Sequence, residues 1–92
     1  MAGFQVFHNE TARRFEAGTE PDLALLQYRL KGREVDIVHT EVPERYQGHG
    51  IAGKLATAAL EWARDSGLKV IPSCPYVESY IAKHPEFADL VA

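Results

Sequence analysis

Val42-Pro43-Glu44-Arg45-Tyr46-Gln47-Gly48-His49-Gly50-Ile51-Ala52-Gly53-Lys54-Leu55 is the stretch on which the reading of this chain turns. A β-rich run ends at Val42, a short polar turn follows, and the glycines open an amphipathic segment with helical spacing. The first N–H groups of a helix have no intrahelical acceptor. Gly48 and Gly50 carry no Cβ, so an anion can approach the backbone closely, and the positive end of the helix dipole favours its charge. The stretch therefore predicts a seat for a phosphorylated ligand.

Three phosphate patterns overlap there. Gly48, Gly50 and Gly53 satisfy G-x-G-x-x-G, but the dinucleotide fingerprint needs a strand running straight into the first glycine and an acidic residue about 20 positions further on. Residues 43–47 intervene here, and that distance falls on the apolar Val70, Ile71 and Pro72. The segment starting at Gly48 and ending at Lys54 also fits the beginning of a Walker A loop, yet Leu55 stands where a Ser or Thr would hold magnesium.

The third pattern is Gln47-x-x-Gly50-x-Ala52, which matches Q/R-x-x-G-x-G/A. With His39-Thr40-Glu41-Val42-Pro43 ahead of it, and Val70-Ile71-Pro72-Ser73-Cys74-Pro75-Tyr76-Val77 and His84-Pro85 behind, residues 34–85 resemble the small YjdJ-type branch of the GNAT superfamily of N-acetyltransferases. The resemblance implies acetyl-CoA as co-substrate. Its pyrophosphate would lie on the loop formed by Gln47, Gly48, His49, Gly50, Ile51, Ala52 and Gly53. Its pantetheine arm would enter a gap between two parting strands near Glu41 and Val42. The resemblance also implies an active-site cysteine at Cys74 and an acid tyrosine in the helix that follows.

Composition sets the bounds. A chain of 92 residues is one domain, burying roughly 60 to 65% of its unfolded surface. With 46% hydrophobic and 25% charged residues the chain is ordinary for a globular protein. The net charge of −3 and the scattered Lys and Arg residues disfavour nucleic acid as a partner. Cys74, the one cysteine, cannot form an internal disulfide, no metal-ligand spacing is present, and the first residues lack the pattern of a leader peptide or membrane segment. A cytoplasmic location is the expectation.

Along the chain, runs at residues 4–8, 13–17, 23–30 and 34–42 read as strands joined by short turns, an antiparallel meander. Ala24, Leu26, Tyr28 and Leu30 share a face. In the fourth strand Val35, Ile37, His39 and Glu41 are expected to share a side. After the glycines, Ile51, Leu55, Ala58, Ala59 and Trp62, joined by Ala52, Ala56 and Ala63, form a helical apolar stripe that Gly67 closes. A crossover returns the chain to a strand at residues 69–71, parallel to the fourth. Pro75 starts a second helix that His84-Pro85 stops, and a short turn covers Phe87 and Leu90. The fold class is therefore α/β: a four-strand meander, a βαβ unit and a C-terminal helix.

Acyl transfer from a thioester needs a nucleophile, a base and an acid for the leaving thiolate. Cys74 precedes Pro75 and is the expected N-cap, where free amides and the dipole favour a thiolate; its other reading is a small buried residue without chemistry. Glu41 and His39 are the alternative bases for direct transfer, against roles as rim carboxylate and sheet residue. Tyr76 and Tyr80, one helical turn apart, are the candidate acids, with core packing as the plainer role. Two functions remain open at this level: an N-acyltransferase acting on an amine acceptor, protein or small molecule, or a CoA-binding module that works through a protein partner. Set against the fuller members of the superfamily it resembles, the chain is expected to leave the acceptor side open, which suits a protein or polyamine amine, a partner subunit in a homo- or hetero-oligomer that completes the site, or no acceptor at all.

Overall fold

The computed structural model of the protein describes residues 5–92, so Phe4, at the head of the first expected strand, lies outside the described residues. Four strands, β1 (Val6–Asn9), β2 (Arg14–Thr19), β3 (Asp22–Lys31) and β4 (Glu34–Glu41), lie side by side in chain order and pair antiparallel. Alternation decides their faces: Phe15, Ala17, Ala24, Leu26, Tyr28, Val35 and Ile37 all turn to one side and are buried. Helix α1 (Ile51–Asp65) crosses that side and returns the chain to β5 (Lys69–Pro72), which pairs parallel to β4.

α1 buries Ile51, Leu55, Ala56, Ala59, Leu60 and Ala63. Leu60 widens the stripe beyond the residues its spacing singled out. Truncating a core leucine such as Leu55 or Leu60 to alanine costs about 2–5 kcal/mol, because the site can only partly collapse. The helix ends in a Schellman closure, the Leu68 N–H donating to the Ala63 carbonyl at 2.8 Å. Helix α2 (Pro75–Lys83) packs beside α1, and a 3₁₀ turn over Pro85–Leu90 puts Phe87 and Leu90 into the same core. The outer edge of β5 is covered by Val91, which bridges to Val70.

β4 carries the feature that shapes the site. Gln27 pairs with His39, but the next residue, Tyr28, pairs with Ile37, leaving Val38 unopposed. Val38 is a bulge, and because side chains alternate with a period of two, one extra residue exchanges the faces beyond it. Val35 and Ile37 face α1, and so does Thr40, which lies opposite the buried Leu26. His39 and Glu41, opposite Gln27 and Leu25, face the other way. The expected common side for Val35, Ile37, His39 and Glu41 is thereby corrected: the alternation holds on each half of the strand and breaks at the bulge.

The same place ends the parallel pairing. β5 accompanies β4 from the Glu34–Lys69 pair to the Ile37–Pro72 pair. The last tie is the Cys74 N–H to the Ile37 carbonyl at 2.9 Å. Beyond it, residues 38–41 of β4 run on without β5. The buried Asp36 braces the departure, accepting from Ser73 Oγ at 2.6 Å with Lys31 Nζ 3.6 Å from its other oxygen.

Candidate functional site

The glycine loop is held from outside. Its first part is a 3₁₀ turn over Glu44–Tyr46, tied to the β2–β3 hairpin by Arg45, which donates to Asp22 at 2.9 Å. Tyr46 presses on Gly18 so closely that a Cβ there would lie 2.8 Å from the ring. Gly18 is thus a glycine of the sheet that serves the loop. Gln47 Nε2 reaches back to the Val42 carbonyl at 3.4 Å.

Gly50 is the N-cap of α1, with φ at 72°, a left-handed conformation costly for any residue with a Cβ. No side chain caps this end, and the first turn has no acidic residue. The ladder of the helix starts with the Lys54 N–H on the Gly50 carbonyl at 3.1 Å. The amides of Ile51, Ala52 and Gly53 come before it and lie at the helix end. A Cβ at Gly48 or Gly50 would meet nothing within 4 Å, so the space over the loop is open. Uncapped amides, a dipole end free of acid and open space fit a diphosphate. They border a cleft of about 240 Å³ that runs to Val42 and Tyr76.

Cys74 is the N-cap of α2, as expected, and is 5% exposed. Its Sγ lies 3.4 Å from Thr40 Oγ1, on the helix side of the sheet. His39 Nε2 and Glu41 Oε1 pair at 3.1 Å, both more than half exposed, on the opposite side. Val38 is what separates the two groups. The tyrosines also part company. Tyr76 lines the cleft with the loop, and burial chiefly raises its pKa above the usual 10.0, with Tyr80 and Cys74 adding to the effect. Tyr80 shares a hydrogen bond between its hydroxyl and that of Thr57 and stacks on His84 at 3.9 Å, facing a neighbouring groove. His49 is an exposed loop residue.

A sequence model described as GCN5-related N-acetyl-transferase matches residues 14–90. The chain belongs to this family. It is 39% identical to protein NATD1 of Gallus gallus over 84 residues, 88% of this chain and 76% of that one. It is 38% identical to NATD1 of Homo sapiens over 88% of this chain and 74% of the relative. With NATD1 of Danio rerio it shares 34% over 95% and 84% of the two chains. The NMR solution structure of a GCN5-like N-acetyltransferase candidate from Staphylococcus aureus superposes with a TM-score of 0.79 at 29% identity, covering 100% of this chain and 91% of that one. The GCN5-related fold is therefore the one the sequence announced, and in this family it supports acyl-CoA-dependent acyl transfer in general.

Within this GCN5-related chain, sequence reasoning missed Thr40, Gly18 and the Arg45–Asp22 pair. Thr40 was within the quoted motif but showed no chemistry of its own. The other two connect segments far apart in the chain, and nothing local marks them.

Proposed function

We propose that the protein is an N-acyltransferase that moves an acetyl group from acetyl-CoA to an amine. The observation that carries this reading is the uncapped amino end of α1 beside the point where β4 and β5 part. CoA supplies the acyl group as an activated thioester. The loop amides hold the diphosphate, and the backbone of residues 38–41, free of β5, is available to the amide-bearing pantetheine arm.

At the parting, Cys74 and Thr40 stand on one side of the sheet and Glu41 with His39 on the other. An acyl carbonyl in the plane of the sheet is accessible from both. Cys74 Sγ bonds to the carbonyl carbon as the bond to the CoA sulfur breaks, and the thiol proton passes to the departing thiolate through Tyr76. The amine, relieved of its proton by Glu41 and His39, then attacks the cysteinyl thioester. An amide forms as the bond from the acyl carbon to Cys74 Sγ breaks, and the proton taken from the amine is returned to the Cys74 thiolate.

Intact-mass analysis after incubation with labelled acetyl-CoA tests this directly. A mass adduct is expected on the wild type and not on Cys74→Ser. The 5% exposure of Cys74 favours one second reading, a CoA-binding module that acts through a partner; binding without adduct or turnover would select it.

A further inference from the structure

Among the described residues, Asp36 is the one charged side chain that the fold buries, at 8% exposure. Val35 and Ile37 on either side of it turn towards α1, so alternation sends Asp36 to the opposite side of the sheet, in register with Ile71 of β5. There it accepts from Ser73 Oγ at 2.6 Å, and Lys31 Nζ, on a side chain more than half exposed, stands 3.6 Å away. We propose that Asp36 is a positioning residue for acyl transfer: through Ser73 it fixes the direction in which the Cys74 thiol meets an acyl group in the gap between β4 and β5.

This rests on the covalent reading above. Ser73 and Cys74 are bracketed by two prolines. Pro72 has no N–H to give to β4 and is the last residue of the pairing. Pro75 opens α2 and keeps the residue before it extended, and Cys74 has φ −74° and ψ 123°. In extended chain consecutive side chains leave on opposite sides. Ser73 accordingly goes to Asp36 on one side of the sheet and Cys74 to Thr40, 3.4 Å away, on the other. With the Cys74 N–H on the Ile37 carbonyl at 2.9 Å, β4 holds the two residues from its edge and from both faces. Freeing Ser73 would release the rotation that aims the thiol. Stability alone gives no account of the carboxylate, because a buried charge is costly and an apolar side chain of similar volume in its place is often neutral or stabilising. Ile71, its neighbour in register, is such a side chain.

Two substitutions in the full chain test the assignment. Asp36→Val removes the acceptor and suits a strand, whereas Asp36→Asn keeps an oxygen that can accept from Ser73. The initial rate of adduct formation at Cys74 with saturating labelled acetyl-CoA, read by intact mass, is expected to fall about 10- to 100-fold in Asp36→Val, the scale of a misplacement of about 1 Å. Asp36→Asn should stay near the wild-type rate. The melting temperature of Asp36→Val and its affinity for CoA are expected to stay close to those of wild type, whereas a brace serving stability alone would lower the melting temperature and leave the saturated rate. Ser73→Ala should repeat the loss of rate and Ser73→Thr restore it, and this pair decides the question if Asp36→Val does not fold. A wild-type rate in Asp36→Val or in Ser73→Ala, or a loss in Asp36→Asn as deep as in Asp36→Val, would overturn the role of Asp36 alone. A wild type that forms no adduct would remove the covalent reading itself, and this proposal with it.

Discussion

Thr40 Oγ1 and Cys74 Sγ meet at 3.4 Å across the gap that opens where β5 leaves β4. The contact exists because Val38 is unopposed; with strict alternation past Ile37, Thr40 would face away from α1 and Glu41 towards it. The bulge thus fixes which polar group the only cysteine sees.

Thr40→Val keeps the branched shape and removes the hydroxyl, at a stability cost of about 0.5–1.5 kcal/mol for one lost hydrogen bond. The initial rate of adduct formation at Cys74, followed by intact mass, should fall in Thr40→Val and be retained in Thr40→Ser. Equal rates in all three proteins would sink a role for the hydroxyl.

Tyr76 and Tyr80 should separate activity from stability. Tyr76 lines the cleft and remains protonated as burial raises its pKa. Tyr76→Phe should slow acetyl-CoA turnover by about 10²- to 10⁴-fold, the scale of a positioned acid, with an unchanged melting temperature. Tyr80→Phe strands the Thr57 hydroxyl and should lower stability by about 0.5–1.5 kcal/mol with a lesser effect on rate. Steady-state kinetics alongside urea denaturation would show a reversed pattern if the acid were Tyr80.

Gly50→Ala places a Cβ at φ 72° and in the open space over the loop. It should cost about 1–2 kcal/mol of stability from the left-handed backbone alone. CoA affinity, measured by titration, should fall as well, since the methyl occupies the anion seat. A variant that binds CoA as well as wild type would place the diphosphate elsewhere.

His8 gives a pH signature. It stacks on Phe15 at 4.1 Å, meets Trp62 edge-on at 4.7 Å and shares a hydrogen bond with the Tyr28 hydroxyl. Burial holds its pKa below the usual 6.5, with Glu10 partly offsetting. The unfolded chain therefore takes up this proton at a higher pH than the folded one, so stability is full above 6.5 and declines as pH falls through the lower folded value. Melting temperatures between about pH 7 and 5, the window set by that direction, should drop in the wild type and drop less in His8→Gln. Glu16, whose pKa Arg14 holds below the usual 4.5, withdraws its contribution only in more acid solution, so the two are separable.

The glycine-opened helix, its closure at Gly67, the meander before it and the parallel return are all legible in the residues, because each follows from spacing within one segment: 3.6 in α1, two in the strands, a crossover between. The residues also place Cys74 at the head of α2, since Pro75 can only begin a helix there. The packed fold alone shows that Glu41 and Cys74 lie on opposite sides of the sheet, that Tyr76 and not Tyr80 lines the cleft, and that Gly18 and Asp22 anchor the loop. A bulge is a mismatch between two strands, and an anchor joins residues from different elements. Neither leaves a mark on the periodicity of a single segment.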